Sequence, residues 1–139
     1  MVEREPVGLL DTNVIIQFKN LDFRQLPVEA FISSITLGEL SIGVALAADK
    51  KVSVDRQAHV QFAESRLTTL PFDDACARTL AQVSGDLRSV GRKQKSRAFD
   101  SLIAATAISW RLPLFTLNPD DYRGISRLDL RHLSLPSHS

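Results

Sequence analysis

Short apolar runs that end abruptly in helix-capping residues recur along this chain. The clearest is Val7 to Leu10, which is followed at once by Asp11, Thr12 and Asn13. A continuous apolar run of this length is typical of a strand that is buried on both faces. Asp, Thr and Asn favour the start of a helix. The pattern therefore predicts a strand that passes directly into a helix, the unit from which parallel α/β sheets are built.

The same alternation continues to the end of the chain. Further strands are predicted at 31–35, 68–72, 112–117 and 128–133, with helices between them. This predicts an α/β fold with a mainly parallel central sheet of four to five strands flanked by helices. The 139 residues, 44% of them hydrophobic and 24% charged, fit one globular domain. We expect a single domain over 1–139, with its core at about 7–133 and a frayed C-terminal tail.

Composition excludes several other classes of protein. The single cysteine, Cys76, excludes a disulfide framework within the chain and a zinc site built from thiolates. With 17 basic and 16 acidic residues, the net charge of +1 excludes long-range attraction of a polyanion by the whole molecule. No apolar stretch is long enough to span a membrane, so a cytoplasmic protein with no membrane partner is expected.

Four acidic positions stand out because they interrupt or adjoin apolar segments. Asp11 directly follows the first strand, and Glu39 lies inside an otherwise nearly apolar helix. Asp100 precedes the most hydrophobic helix of the chain. Asp121 follows the strand at 112–117, with Asp120 as an adjacent rival for the same role. In a parallel sheet these positions can converge on one edge, where ligands usually bind.

Each acid also has a purely structural interpretation. Asp11 and the pair at 120–121 could cap helices or turns, and Glu39 could form a capping box with Thr36. Asp100 could complement the dipole of its helix. Against these interpretations, carboxylates about 4 Å apart repel by roughly 4 kcal/mol at an effective dielectric near 20. A hard divalent cation would relieve that repulsion and would suit phosphodiester chemistry.

A basic segment lies immediately before Asp100. It holds five positive residues within ten positions and no acidic one: Arg88, Arg92, Lys93, Lys95 and Arg97. A solvated loop is the alternative interpretation. Because the segment adjoins a candidate metal ligand, it is a candidate contact for a phosphate backbone.

Four segments resemble the PIN-domain family and, within it, the VapC toxins of bacterial toxin–antitoxin pairs. They are LLDTNVI (9–15), SITLGEL (34–40), FDSLIAATA (99–107) and LFTLNPDDY (114–122). The resemblance covers about residues 7–133 and implies a three-layer fold. It also implies a metal-dependent endoribonuclease, the toxin of such a pair, inhibited by its cognate antitoxin. Two mild departures are Leu117, where the family commonly has Arg, and Tyr122, where it commonly has Phe.

The resemblance also assigns roles to residues. Asp11 and Asp100 would be the main ligands of Mg²⁺, with Mn²⁺ as a substitute. Glu39 would bind a second metal or orient the attacking water, and Asp121 would be the fourth catalytic acid. Supporting polar groups would come from Thr12, Asn13, Thr116 and Asn118.

The implied partners are an RNA substrate, a VapB-like antitoxin and a second copy of the chain. Phe18, Leu21, Phe23 and Leu26 are candidates to line an antitoxin groove, with ordinary core packing as the alternative. The rival functions are an aspartyl-nucleophile phosphatase and a non-catalytic module that binds RNA or protein. The phosphatase chemistry typically needs Asp-x-Asp after the first strand, and position 13 is Asn. The sequence does not identify the RNA, the antitoxin or the number of metals.

Overall fold

A parallel sheet lies at the centre of the fold. The computed structural model describes residues 3–91 and 98–136. The strands within those residues are β1 (Val7–Leu10), β2 (Glu29–Ser33), β3 (Thr68–Leu70), β4 (Leu114–Thr116) and β5 (Leu130–His132). They lie in the order β3-β2-β1-β4-β5, so β1 is central, and every neighbouring pair is parallel.

Helices connect the strands and cover both faces of the sheet. They are α1 (Thr12–Ile16), α2 (Ser34–Ala45), α3 (Lys50–Arg66), α4 (Asp74–Ser89) and α5 (Ala98–Ser109). Short polar side chains cap the first four, at Asp11, Ser33, Asp49 and Asp73, because each accepts a hydrogen bond from a free backbone N–H of the first turn. No helix in the described ranges is both long and apolar enough to cross a membrane.

Adjacent residues of each central strand serve opposite faces of the sheet. Leu9 and Leu114 pack in one core cluster, with buried residues of α4 and α5. Leu10 and Phe115 pack in a second cluster, with buried residues of α1, α2 and α3. Both faces of the sheet are therefore buried, which is why the strands appear in the sequence as unbroken apolar runs. The resulting three-layer α/β architecture confirms the predicted fold class.

The predicted strand boundaries were less accurate. The second strand covers 29–33 instead of 31–35, because the Ser33 side chain accepts a hydrogen bond from the Ile35 N–H and starts α2. The predicted capping box of Thr36 and Glu39 is therefore wrong. The other strands are shorter than predicted, at 68–70, 114–116 and 130–132.

The strand order fixes where a ligand site can form. From β1 the chain builds outward to β2 and β3 on one side, then crosses to β4 and β5 on the other. The connections that follow β1 and β4 therefore diverge from one point at the carboxyl edge of the sheet. In open parallel sheets this topological switch point is the usual ligand crevice.

Gly8 permits the close packing of β1. A Cβ atom added at this position would lie 2.4 Å from Cε1 of Phe115 and 3.1 Å from Cγ of Pro27. Phe115 is itself buried in the core, so its ring has little room to move aside. The absence of a side chain at Gly8 thus allows the ring of the neighbouring strand to cover β1.

We expect Gly8→Ala to destabilise the protein by about 1–3 kcal/mol, the usual cost of overpacking a core. Gly38→Ala is the matched control, because an added Cβ there meets nothing within 4 Å. In helix α2 that change should be neutral or stabilise by up to about 1 kcal/mol. Urea unfolding of both variants measures the difference. Equal midpoints for the two would show that the Phe115 ring relaxes freely.

Candidate active site

Asp11 occupies the topological switch point. It follows β1 directly, caps α1 and is only 3% exposed. Its Oδ1 accepts a hydrogen bond from the Thr12 N–H at 2.8 Å, and its Oδ2 accepts one from the Thr116 hydroxyl at 2.8 Å. Since Thr116 is the last residue of β4, this carboxylate is held between the ends of the two central strands.

Asn13 and Thr116 lock the loop after β4 to the start of α1. Besides donating to Asp11, the Thr116 hydroxyl accepts from Asn13 Nδ2 at 3.3 Å and from the Asn118 N–H at 3.1 Å. The one donor and two acceptor positions of a hydroxyl are thus all used. Asn13 Oδ1 accepts from the Leu117 N–H at 3.2 Å, and Asn13 Nδ2 also donates to Asp11 Oδ2 at 3.4 Å.

Glu39 reaches the same edge from α2. It lies in the second turn of that helix. Its Oε1 accepts a hydrogen bond from the Thr12 hydroxyl at 2.7 Å, and the hydroxyls of Thr12 and Thr36 share a bond of 3.1 Å. Thr12 therefore orients both Asp11, through its N–H, and Glu39, through its hydroxyl.

The remaining acids come from α5 and from the turn after β4. Asp100 lies half-buried in the first turn of α5, as predicted. Asp121 lies half-buried in a 3₁₀ turn (Pro119–Tyr122) whose start is fixed by a bond from the Asp121 N–H to the Asn118 carbonyl. Its charge acts on Asp11. Asp120 is exposed, so the geometry favours Asp121 over its neighbour as the fourth acid.

Two further residues belong to this site that sequence reasoning did not assign to it. Thr36 is fully buried beneath Thr12 and serves the acid network instead of a helix cap. Tyr122 is buried, and its hydroxyl lies in the field of Asp11, Asp100 and Glu39. The departure from Phe at this position was the one available signal for Tyr122.

Burial controls the electrostatics of the acids. It raises the pKa of Asp11, and the negative charge of Asp121 raises it further, while hydrogen bonds from Thr116 and Thr12 pull it down. Burial likewise raises the pKa of Glu39, where the charge of Asp11 adds to the effect and the Thr12 hydroxyl opposes it. Both carboxylates are thus costly to ionise without a compensating positive charge.

The oxygen atoms available as metal ligands at this edge of the sheet fit a hard divalent cation. Its ligands would be carboxylate oxygens, which Mg²⁺ and Mn²⁺ prefer. Within 3–91 and 98–136, no three His, Cys, Asp or Glu side chains are already gathered closely enough to enclose an ion. Mg²⁺ usually takes one or two protein carboxylates and keeps several water ligands.

Most of the predicted RNA-backbone contacts fall outside the description. Arg88 is exposed near the end of α4. Arg92, Lys93, Lys95 and Arg97 lie outside the described residues. The segment therefore remains a prediction.

An apolar groove leads into the acid cluster. One section, of about 490 Å³, lies between α1 and α3, where the ring centroids of Phe18 and Phe62 are 4.6 Å apart. It shares Ile16 and His59 with a second section of about 310 Å³, which reaches Thr12 and Glu39. The groove thus ends at Glu39, one of the candidate catalytic acids.

The four residues predicted for such a groove divide between different roles. Phe18 lines the groove beside α3. Phe23 and Leu26 line a separate cavity of about 280 Å³, which Phe18 also borders. Leu26 is otherwise buried in the core, and Leu21 packs against the same core cluster. Core packing, the alternative interpretation, thus applies to Leu21 and Leu26.

Known proteins are similar to this chain in both sequence and fold. Residues 8–128 match the PIN domain family. Ribonuclease VapC5 of Mycobacterium tuberculosis is 35% identical over 116 residues, which are 81% of this chain and 84% of that protein. Ribonuclease VapC1 of Rickettsia felis is 34% identical over 106 residues, which are 76% of this chain and 78% of that protein.

A solved structure extends the likeness to the whole fold. The crystal structure of VapBC-5, a member of the VapBC family of toxin–antitoxin systems from Mycobacterium tuberculosis, gives a TM-score of 0.79 at 32% identity. The match covers 94% of this chain and 99% of that one. The chain therefore belongs to the PIN domain family and, within it, to the VapC group. This confirms the resemblance, and ribonucleases of this group generally depend on a divalent metal.

We expect Asp11→Asn to stabilise the metal-free protein at pH 7. The pKa of Asp11 is raised above its ordinary value of 3.8 in the folded state, so the ionised carboxylate opposes folding above that raised pKa. As the pH falls through the raised pKa towards 3.8, protonation of the wild-type residue removes the cost. The advantage of the variant should therefore be largest at pH 7 and shrink towards pH 4.

Urea unfolding in EDTA between pH 4 and pH 7 measures this difference in the free energy of unfolding. Asp120→Asn is the control, because that exposed position should change stability by no more than about 0.5 kcal/mol at any pH. A variant at Asp11 that is less stable than wild type throughout would show that the hydrogen bonds to the carboxylate outweigh its burial.

Proposed function

We propose that this protein is a metal-dependent endoribonuclease and the toxin of a toxin–antitoxin pair. The observation that carries the proposal is Asp11, buried at the switch point and held by Thr12 and Thr116 while further acids act on it. Its relatives are named ribonucleases, and a relative of known structure comes from a toxin–antitoxin system. We further propose that residues 1–139 form a single domain, with its core at about 7–133, that acts on RNA in the cytoplasm.

The proposed metal ligands are Asp11 and Asp100. Mg²⁺, or Mn²⁺ in its place, would make bound water more acidic and neutralise charge on the scissile phosphate. Thr116 and Asn13 hold the Asp11 carboxylate in one orientation, so it needs little rearrangement to act as a ligand. Asp121 adds negative charge beside Asp11 and strengthens the local preference for a cation.

Glu39 is the proposed acceptor of a proton from the attacking water. Thr12 fixes one of its oxygens and leaves the other available. Burial raises the pKa of Glu39, and a base is more effective when its pKa lies closer to the working pH. The basic residues between Arg88 and Arg97 are proposed to hold the RNA backbone.

The phosphatase alternative loses support from the role of Asn13. In that chemistry an acid would stand at this position to move a proton. Here the Asn13 side chain accepts from the Leu117 N–H and donates to Thr116, which is a structural role. A non-catalytic binding module remains the rival that a cleavage assay separates.

We expect Asp11→Asn and Asp100→Asn each to reduce RNA cleavage by more than about 100-fold, beyond the range typical of residues that only support metal ligands. Cleavage of a fluorescent single-stranded RNA with Mg²⁺ or Mn²⁺ is the measurement, and EDTA should abolish it. Asp121→Asn should also reduce the rate.

Asp120→Asn is the matched control for the adjacent acid and should cleave at nearly the wild-type rate. Circular dichroism of each variant confirms that it is folded. Undiminished cleavage by folded Asp11→Asn and Asp100→Asn proteins would refute the assignment. Metal-independent RNA binding without products would favour the non-catalytic module.

The proposed antitoxin site is the apolar groove between α1 and α3. Its lining includes Ile16, Phe18 and Phe62, and it ends at Thr12 and Glu39. An amphipathic segment with apolar residues on one face would fill it, as helices fill hydrophobic grooves in other complexes. Such a partner would also block access to the acids. We further propose a homodimer, which light scattering of the purified protein would test.

We expect Ile16→Glu to abolish capture of the antitoxin encoded in the neighbouring reading frame. A charge placed in the groove must be desolvated when the partner binds. Leu135→Glu is the matched control, because Leu135 has the same 44% exposure and lies outside the groove. Co-expression and affinity capture provide the measurement. Equal capture by the two variants would place the antitoxin elsewhere.

A further inference from the structure

Tyr122 carries a buried hydroxyl that the packing of its ring does not explain. The residue is 2% exposed, and its ring packs in the core cluster that contains Leu9, Leu87 and Ile103. The hydroxyl oxygen is inaccessible to solvent and makes no hydrogen bond with the described residues. Leaving a hydroxyl buried in this way is unfavourable. A phenylalanine would fill the same space without that cost.

The surroundings of the hydroxyl indicate what it serves. It lies near Asp11 and within the field of Asp100 and Glu39. A phenolic hydroxyl keeps its proton at neutral pH, and burial beside carboxylates favours the neutral form further. It is therefore a permanent neutral donor among carboxylates, which have only acceptor atoms when ionised.

We propose that Tyr122 is a positioning residue of the metal site: its hydroxyl, unpartnered in the metal-free protein, donates a hydrogen bond to the Asp11 carboxylate when a divalent cation binds and fixes the oxygen that Asp11 offers to the cation. This rests on the proposed metal-dependent function. Three donors already hold Asp11, namely the Thr12 N–H, the Thr116 hydroxyl and the Asn13 amide. All three belong to the strand ends or to α1, whereas Tyr122 approaches from the turn after β4.

The positioning role and a merely structural role predict different results for Tyr122→Phe. The substitution keeps the ring and removes only the hydroxyl. If the hydroxyl only fills space, its loss leaves metal affinity unchanged. If it positions Asp11, its loss weakens metal binding by about 10- to 100-fold, as for other partners of metal ligands. Metal-free stability stays the same or rises, because an unsatisfied buried hydroxyl is removed.

The experiment measures Mn²⁺ binding to the intact protein by calorimetry, together with urea unfolding in EDTA. Ser101→Ala is the matched control, because Ser101 has the other buried hydroxyl without a partner in the described residues. We expect Tyr122→Phe to raise the Kd for Mn²⁺ at least tenfold and Ser101→Ala to leave it within about twofold. Cleavage by Tyr122→Phe should recover at high Mn²⁺ concentration, since the ligand itself is retained.

Two outcomes would overturn the inference. An unchanged Kd in Tyr122→Phe, with wild type binding Mn²⁺ and Asp11→Asn not binding it, would remove Tyr122 from the site and leave the metal function intact. Equal weakening in Tyr122→Phe and Ser101→Ala would show a general structural effect. Failure of wild type to bind Mn²⁺ would overturn the metal function and this inference together.

Discussion

The burial of one carboxylate, that of Asp11, is the constraint on which the rest of the site depends. A charge so enclosed is tolerable only if donors surround it, and those donors come from two different strand ends. Thr116 can reach Asp11 only because β1 and β4 are neighbours and parallel. The strand order, the two apolar clusters and the small residue at Gly8 all contribute to that juxtaposition.

The buried acids of the site lower the stability of the fold. Carboxylates that burial makes costly to ionise lie on a sheet edge whose strands are otherwise among the most buried segments of the chain. The two leucines at the end of β1 pack into opposite cores, so the strand that carries Asp11 is anchored from both sides. This rigidity holds the acids in place despite their mutual repulsion.

Much of this arrangement can be predicted from the sequence because its physical causes are local. Strands buried on both faces must be apolar throughout, so β1 and β4 could be recognised, and an acid directly after such a strand is conspicuous. The strand ends were harder to predict, since Ser33 belongs to a strand and caps a helix at the same time. Thr36 could not be assigned to the site, because its partner Thr12 is 24 positions away and meets it only in the folded chain.

The turn after β4 and the groove show the same limit of prediction from the sequence. Asp120 and Asp121 are equivalent in the sequence, and only the path of the 3₁₀ turn exposes one and turns the other inward. Phe18 and Leu26 have similar apolar character, but one lines the groove and the other is core. Such distinctions depend on tertiary contacts, which a single sequence does not contain.

The groove extends as far as Glu39, and that continuity bears on regulation. A partner lying in the groove reaches Glu39, so partner and substrate would compete for the same space. No conformational signal has to travel through the protein. Nuclease activity in the cell would then follow the ratio of the two proteins, remaining silent while the partner is in excess. It would rise sharply once the partner is depleted, as in a titration past its equivalence point.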